Sequence, residues 1–529
     1  MARQTRLTES YDWIVLGDSL PALLSAALVA RMGLSVLLVG DGSEKKWKIS
    51  SNGQVIDPEP NIAFGIGCPD RHLGLAGKCL QALRMPESDW SSLIVESPIF
   101  QAVTPSIRSE FHACTESTLL SVVRESGGQE SVVRGLIEAI QAGTEPLFKF
   151  WGALPDRLTL PVQEASSDSG ASLSEKPVKR PSSSVTSEAQ FRREFLRDLP
   201  RDPLVHAWGE SSAELRMLGA SESEREWIDA WFAGALGSES PEQLAPFDVL
   251  QALALAVDGV RFRGGVSAFR ASLIRMLTRL GAHIVDAPVS VNRLFVEEGK
   301  VLGIQLTGAE NIRNVTRARG MISSIHPAKV KAWIDGADSP RSNEGLGTEA
   351  LRVTLALTVS SHAIPVGMAR RVLWKESGAP TLELERAVPA EYGFPLEGRE
   401  YLFIRACFPV EAEEWSVERW RTVCERMVRQ AAEVMPFLEQ HVEKVFPDFR
   451  GPEFASHWKE FYGSGRLMSS DVFRVPLSLP RKGAFPRVEG LFQAHRMTAP
   501  QRGAMGEWSE SLHATAWIAH RSGLAGPLG

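Results

Sequence analysis

Residues 11–41 read YDWIVLGDSLPALLSAALVARMGLSVLLVGD, and the order of apolar runs and turn residues in this stretch decides the fold. Trp13, Ile14, Val15 and Leu16 form an apolar run of strand length, and Gly17 interrupts it at a turn. Leu20 to Met32 is rich in Leu and Ala, the strongest helix formers, and Gly33 is the residue type that ends such a helix. Pro21 is tolerated in the first turn, where the N–H it lacks has no partner within the helix. Leu34 to Val39 then supplies a second apolar strand. Strand, tight turn, helix and strand make a βαβ unit, and its continuous apolar strands predict a parallel sheet covered on both faces.

A turn of this kind holds phosphate when glycines allow the backbone to approach it, and here those positions fall at Gly17, Ser19 and Ala22. Each has its own physical task. Gly17 makes the tight turn, and alanine at position 22 is a common variant. At the middle position a Cβ crowds a pyrophosphate against the N–H groups of the helix terminus, and Ser19 puts a hydroxymethyl group there. Asp18 adds a carboxylate to the same turn. The acid expected on a ribose hydroxyl falls near Gly40, and Asp41, the next residue, can take that place. Asp41 suits FAD and NAD(P) equally, so the unit alone does not choose between them.

The chain has 529 residues, enough for two or more domains. Lys plus Arg is 58 and Asp plus Glu is 64, a net charge of −6, which together with the lack of any basic patch interleaved with aromatics argues against nucleic acid as a ligand. The five cysteines, Cys68, Cys79, Cys114, Cys407 and Cys424, contain no CxxC pair and no metal-type spacing, so they read as small buried apolar residues of a reduced, cytoplasmic protein. Glu9, Asp12 and Asp18 interrupt the N-terminal apolar region as a secretory signal would not allow, and Arg31 and Gly33 fall where a membrane span from Ala22 to Gly40 would need apolar residues.

Further along, Asn52-Gly53 marks a turn before a short strand ending at Asp57, and Leu93 to Val95 and Ile99 to Val103 are strand-like. Residues 166–188 are rich in Ser, Pro and charge and read as a disordered insertion. Trp227, Trp231 and Phe232 lie at helical spacing, a stripe that is core, the wall of an apolar cavity, or a peripheral membrane contact. Arg263-Gly264-Gly265 opens an amphipathic helix through Leu280, followed by a hairpin with strands Val289 to Val296 and Val301 to Leu306. Arg319 to Ser324, Leu351 to Thr358 and Tyr401 to Pro409 read as strands, Val417 to Met435 as a long helix, and Gly490 to His520 as strand, polar turn and helix. We therefore expect an α/β chain: a Rossmann-like dinucleotide-binding domain from 1–95, 255–335 and 480–529, and an α+β substrate domain, with a mixed sheet and helices, from 96–254 and 336–479.

This order of modules resembles the carotenoid (phytoene) desaturase branch of the FAD-dependent amine oxidase superfamily. The pieces that carry it are the βαβ unit, Asn52 to Asp57, Arg263-Gly264-Gly265 with its helix and hairpin, Ser323 with His326-Pro327, and the C-terminal strand, turn and helix. The resemblance implies FAD as cofactor, contacted at Asp57, under Arg263 to Gly265, and by the backbone of Val289. It also implies hydride removal from an apolar, isoprenoid or lipid-like small molecule. The departures all fall at cofactor contacts. The Gly-Gly-Arg loop expected after the ribose acid is missing, with only Lys45, Lys46 and Lys48 as nearby cations. The C-terminal Gly-Asp or Gly-Glu pair is replaced by His495-Arg496, although Arg496 can meet a pyrophosphate bidentately. Gln501 to Ala504 replaces a turn of small residues, and Glu507 and Trp508 stand where small apolar residues are usual.

Two readings follow: a flavin-dependent oxidoreductase, or a non-catalytic binding protein on the same scaffold, similar to GDP-dissociation inhibitors, that has lost conventional FAD binding. There is no G-x-S-x-G elbow, H-E-x-x-H pair or GK[ST] phosphate loop, and His206, His326, His457 and His495 stand singly, so no catalytic side chain is named.

Overall fold

The computed structural model describes residues 10–40, 98–112, 265–285, 290–307, 313–336, 349–376, 378–387, 398–409, 416–452 and 488–494, with short strands and single residues elsewhere. Its first sheet is built around the unit read above. Strand β1 (Ser10–Leu16) leads through Gly17 into helix α1 (Leu20–Arg31), and β2 (Val36–Val39) returns parallel to β1, with Trp13 opposite Val36 and Leu16 opposite Val39. Every residue from Pro21 to Ala30 is buried, so α1 is covered all round instead of along one stripe. That is the packing its Leu and Ala content implies.

The amphipathic helix following Arg263-Gly264 is α2 (Gly265–Arg279), and β3 (His283–Val285) pairs parallel with β2. The hairpin forms from β4 (Ser290–Glu297) and β5 (Lys300–Thr307). Its turn places Glu298 and Gly299 at φ +49° and +75°, the left-handed pair that two-residue hairpins favour. Strand β6 (Arg313–Ser323) begins six residues before the expected Arg319. Its first half pairs antiparallel with β5, and its second half runs parallel to β1, with Leu16 opposite Ser323. Helix α3 (Pro327–Asp335) follows, and β7 (Leu491–Gln493) pairs parallel with β6. The strand order is β3-β2-β1-β6-β5-β4, with β7 also on β6. The chain therefore leaves β1 toward β2 on one side and returns on the other through β6, the arrangement that opens a crevice beyond the carboxyl ends of β1 and β6.

The second sheet has eight strands and is mostly antiparallel; its centre is Glu349–Ser360 against Arg399–Pro409. Helix α4 (Val417–Val434) is capped by the Ser416 side chain and buries Trp420, Cys424, Met427, Val428 and Ala431 against one face, where Val353, Leu355, Leu384, Leu402 and Ile404 meet them. Arg371–Trp374, Leu382–Ala387 and Val442–Phe446 also belong to this sheet, although the sequence reading did not identify them as strands. The chain is thus α/β, with a Rossmann-like sheet and a second mixed sheet. Among the described residues no helix is long and apolar enough to cross a membrane. Residues 166–188 and the Trp227–Phe232 stripe, apart from Ala230, lie outside the described residues.

Candidate functional site

The crevice at the ends of β1 and β6 is shaped first by Gly17. Its φ of +94° favours glycine, and a Cβ built there would lie 2.2 Å from Ser324 Oγ. That close approach is locked by two bonds to Leu16 O, from Ser324 N–H at 2.9 Å and Ser324 Oγ at 3.3 Å. On the other side, Gly17 N–H donates to Val39 O at 2.8 Å. Both neighbouring strands therefore fix where the turn leaves the sheet. Glycine at this position serves the protein's own packing as well as any ligand.

Ser19 is the N-cap of α1. Its backbone is extended at φ −58° and ψ 151°, and its Oγ accepts from Ala22 N–H at 3.4 Å, while its carbonyl accepts from Leu23 N–H at 2.9 Å. Pro21 has no N–H. Among the described residues this leaves Leu20 as the first-turn helical N–H for a ligand, next to the turn's own backbone. The unexpected middle residue therefore has two effects: its Cβ fills space, and its hydroxyl occupies a donor that glycine would leave open.

Three of the expected contacts, Gly17, Ser19 and Ala22, come together in this turn, and Gly265 lies buried at the start of α2, which packs against α1. Asp41, Asp57, Arg263, Gly264, Val289 and Arg496 lie outside the described residues. Ser323 and His326, also singled out from sequence, border the crevice as structural residues. Ser323 carbonyl accepts from Ala494 N–H at 2.7 Å, and the buried His326 opens α3 through its carbonyl. The C-terminal segment reaches α1 as well, where Ser25 Oγ donates to Ser511 O at 3.2 Å.

Sequence reasoning missed Arg270. It lies on α2 between the buried Phe269 and Leu273, is only 8% exposed, and donates from Nε to the carbonyl of Asp18 at 3.2 Å. Its signal was present: Val266, Arg270, Leu273 and Leu277 share one helical stripe, so a cation stands in an otherwise apolar row.

Three features of the turn suit a dinucleotide. A helix N-terminus lies at the switch point, its first turn has no acidic residue, and the preceding glycine adopts the positive φ the tight turn needs. The Ser19 hydroxyl is turned back onto the helix, where it meets Ala22 N–H at 3.4 Å. Among the described residues no three His, Cys, Asp or Glu side chains gather as a metal ion would need.

The second sheet carries the strongest charge cluster. On the face away from α4, Arg405 Nη1 meets Glu385 Oε2 at 2.6 Å and Glu383 Oε1 at 3.2 Å, and Arg371 Nε meets Glu383 Oε1 at 3.0 Å. Burial pushes the Glu383 carboxyl up, but the guanidinium charges of Arg371, Arg405 and Arg352 and the Arg371 hydrogen bond outweigh it and hold it at about 2. Ala356, Ala387, Tyr401 and Phe403 form a small buried apolar cluster with the partly buried Phe446 packed against it.

No protein-family model matches the chain, and no functionally curated protein does. Solved structures do share its fold. An oxidoreductase from Methanosarcina mazei superposes with a TM-score of 0.52 at 13% identity, over 94% of this chain and 99% of its own. A double mutant of putrescine oxidase, redesigned for cofactor binding, gives a TM-score of 0.50 at 12% identity, over 97% of this chain and 100% of its own.

Proposed function

We propose that the protein is an FAD-dependent oxidoreductase of the desaturase or amine oxidase type, cytoplasmic, acting on an apolar small molecule of isoprenoid or lipid-like character. The observation that carries this reading is the Gly17–Ser19 turn at the opening of α1, set at the switch point of a sheet in a fold shared with an oxidoreductase and an amine oxidase. Gly17 and the backbone N–H groups of Ser19 and Leu20 would hold the pyrophosphate, Asp41 a ribose, and Asp57, Arg263 to Gly265, Val289 and Arg496 further parts of the cofactor. The flavin supplies the hydride acceptor. The chain's own part is to orient the ring, exclude water and present the substrate, and oxidation of an apolar carbon framework needs little acid–base help from side chains. The domain division proposed with this reading is 1–95, 255–335 and 480–529 for the cofactor, and 96–254 and 336–479 for the substrate.

The test is the visible spectrum of the purified protein before and after incubation with excess FAD and desalting. Retained flavin bands are expected; a protein that stays colourless would overturn the reading. One observation favours a second reading, a binding protein that keeps the scaffold without redox chemistry: Ser19 both fills the middle position and caps Ala22 N–H. Under that reading the native chain takes no flavin, and Ser19→Gly together with Arg496→Asp is needed to gain it.

A further inference from the structure

We propose that Arg270 is a cofactor-positioning residue, which sets both the charge and the backbone orientation of the Gly17–Ser19 turn toward the diphosphate of a dinucleotide. The inference rests on the dinucleotide reading above and adds a residue that neither the fingerprint spacing nor the resemblance includes. Side chains on a helix lean toward its N-terminus, and from α2 this carries the Arg270 guanidinium back to the opening of α1. There it holds the Asp18 carbonyl. In a trans peptide the C=O and the following N–H point in opposite directions, so a carbonyl drawn toward α2 turns the Ser19 N–H away from α2. Arg270 thus fixes the direction in which the turn offers its donor.

The charge argument is independent of that geometry. A guanidinium remains ionised when buried, and this one is 8% exposed at a helix end that already carries about half a positive charge. Neither α1 nor α2 has an acidic residue in its first turn. Of these groups, the Asp18 carboxylate on the same turn offsets one unit, and the partial charge of the helix end keeps their sum positive. A doubly charged diphosphate is the ligand such a field favours, and a neutral ring system gains nothing from it.

The experiment measures binding of FAD and of riboflavin, which lacks phosphate, to the full-length protein by quenching of flavin fluorescence. The melting temperature of each protein without flavin is measured alongside. Arg270→Gln keeps a hydrogen-bond donor and removes the charge; Arg270→Lys keeps the charge. We expect Arg270→Gln to weaken FAD binding about tenfold to a hundredfold, Arg270→Lys to lose less, and riboflavin to change by under about threefold. Raising salt from about 50 to about 500 mM should weaken FAD binding in the unmodified protein more than in Arg270→Gln. Equal losses for FAD and riboflavin with a lowered flavin-free melting temperature would overturn the proposal, because Arg270 would then only hold α2 against α1. Unchanged FAD affinity in Arg270→Gln would overturn it too, while leaving the dinucleotide reading intact. An unmodified protein that binds neither flavin would remove the reading and this inference together. If Arg270→Gln does not fold, Arg270→Lys and the salt response of the unmodified protein decide: charge recognition predicts retained affinity that falls with salt, and loss in Arg270→Lys or indifference to salt would overturn the proposal.

Discussion

The two sheets bury their strands by opposite means. In the first, β1 and β2 are apolar almost residue by residue, with Ile14, Val15, Leu37 and Val39 at or below 1% exposure, and the crevice is shaped by backbone: a positive φ at Gly17 and a cap at Ser19. In the second, one face packs apolar side chains on α4, while the other buries Arg371, Glu385 and Arg405 around the half-buried Glu383. A backbone-shaped region tolerates changes of charge and is intolerant of added atoms. A region held by buried charge behaves the other way round, because removing one partner strands the rest.

The largest expected effect follows from that asymmetry. Arg405→Met keeps most of the volume and takes from Glu385 the guanidinium it meets at 2.6 Å, while Glu383 keeps only Arg371 of its two ion-pair partners at 3.0 and 3.2 Å. A cost of about 3–5 kcal/mol is expected, read as a fall in the urea midpoint with unchanged slope. A change below about 1 kcal/mol would mean that the cluster is solvated and that the comparison between the sheets fails.

Next comes Gly17→Ala in the first sheet. The left-handed backbone costs an L residue about 1–2 kcal/mol, and the new methyl would meet Ser324 Oγ at 2.2 Å, so about 2–4 kcal/mol in total is expected. Ser324→Ala in the same chain should recover the steric part and none of the φ part. A double-mutant cycle on thermal or urea unfolding separates the two. Full additivity would show that the strands relax apart and that backbone geometry does not shape this turn.

How much of each region was legible in the sequence follows the same division. The βαβ unit could be read residue by residue because strands buried on both faces leave continuous apolar runs, and a tight turn leaves a glycine. The α2 helix and its hairpin were legible from helical period and from Glu298-Gly299. Leu382–Ala387, LELERA, alternates as a strand does, but its Glu383 and Glu385 suggest a solvated face, and only the register beside Arg405 explains why Glu385 is buried and Glu383 half-buried. Arg270 was lost for the same reason: a cation is read as exposed until the partner that buries it, here a carbonyl 252 positions away in the chain, is known. Local physics was visible, whereas pairings between distant segments were not.

Acid should act on the second sheet first. Glu383 titrates at about 2 in the folded protein against 4.5 for an ordinary glutamate, and a depressed carboxyl contributes stability that is complete above the unfolded value. That contribution, at most roughly 3 kcal/mol, is lost as pH falls through about 4.5 toward about 2. The measurement is the urea midpoint at about pH 6 and about pH 3 for the unmodified protein and Glu383→Gln, whose difference should shrink on acidification. An equal difference at both values would mean that Glu383 acts by shape and not by charge.

The smallest effect on stability, and the most informative about function, is at Ser19. Ser19→Ala removes the hydroxyl that accepts from Ala22 N–H, and the loss of a cap typically costs about 1 kcal/mol; the 3.4 Å length of this bond places the expected value at or below that. Ser19→Gly costs only a few tenths, since glycine is itself a fair N-cap. Flavin binding should move in the opposite sense. Both variants release Ala22 N–H toward a phosphate, worth up to about tenfold in affinity, and glycine also removes the Cβ. FAD affinity is therefore expected to be highest in Ser19→Gly, intermediate in Ser19→Ala and lowest with the native serine, while stability without flavin falls most in Ser19→Ala. A parallel fall of stability and affinity would show that the cap supports the cofactor turn. The serine would then be a working part of the site, and the backbone of the first sheet, like the charges of the second, would depend on a side-chain partner.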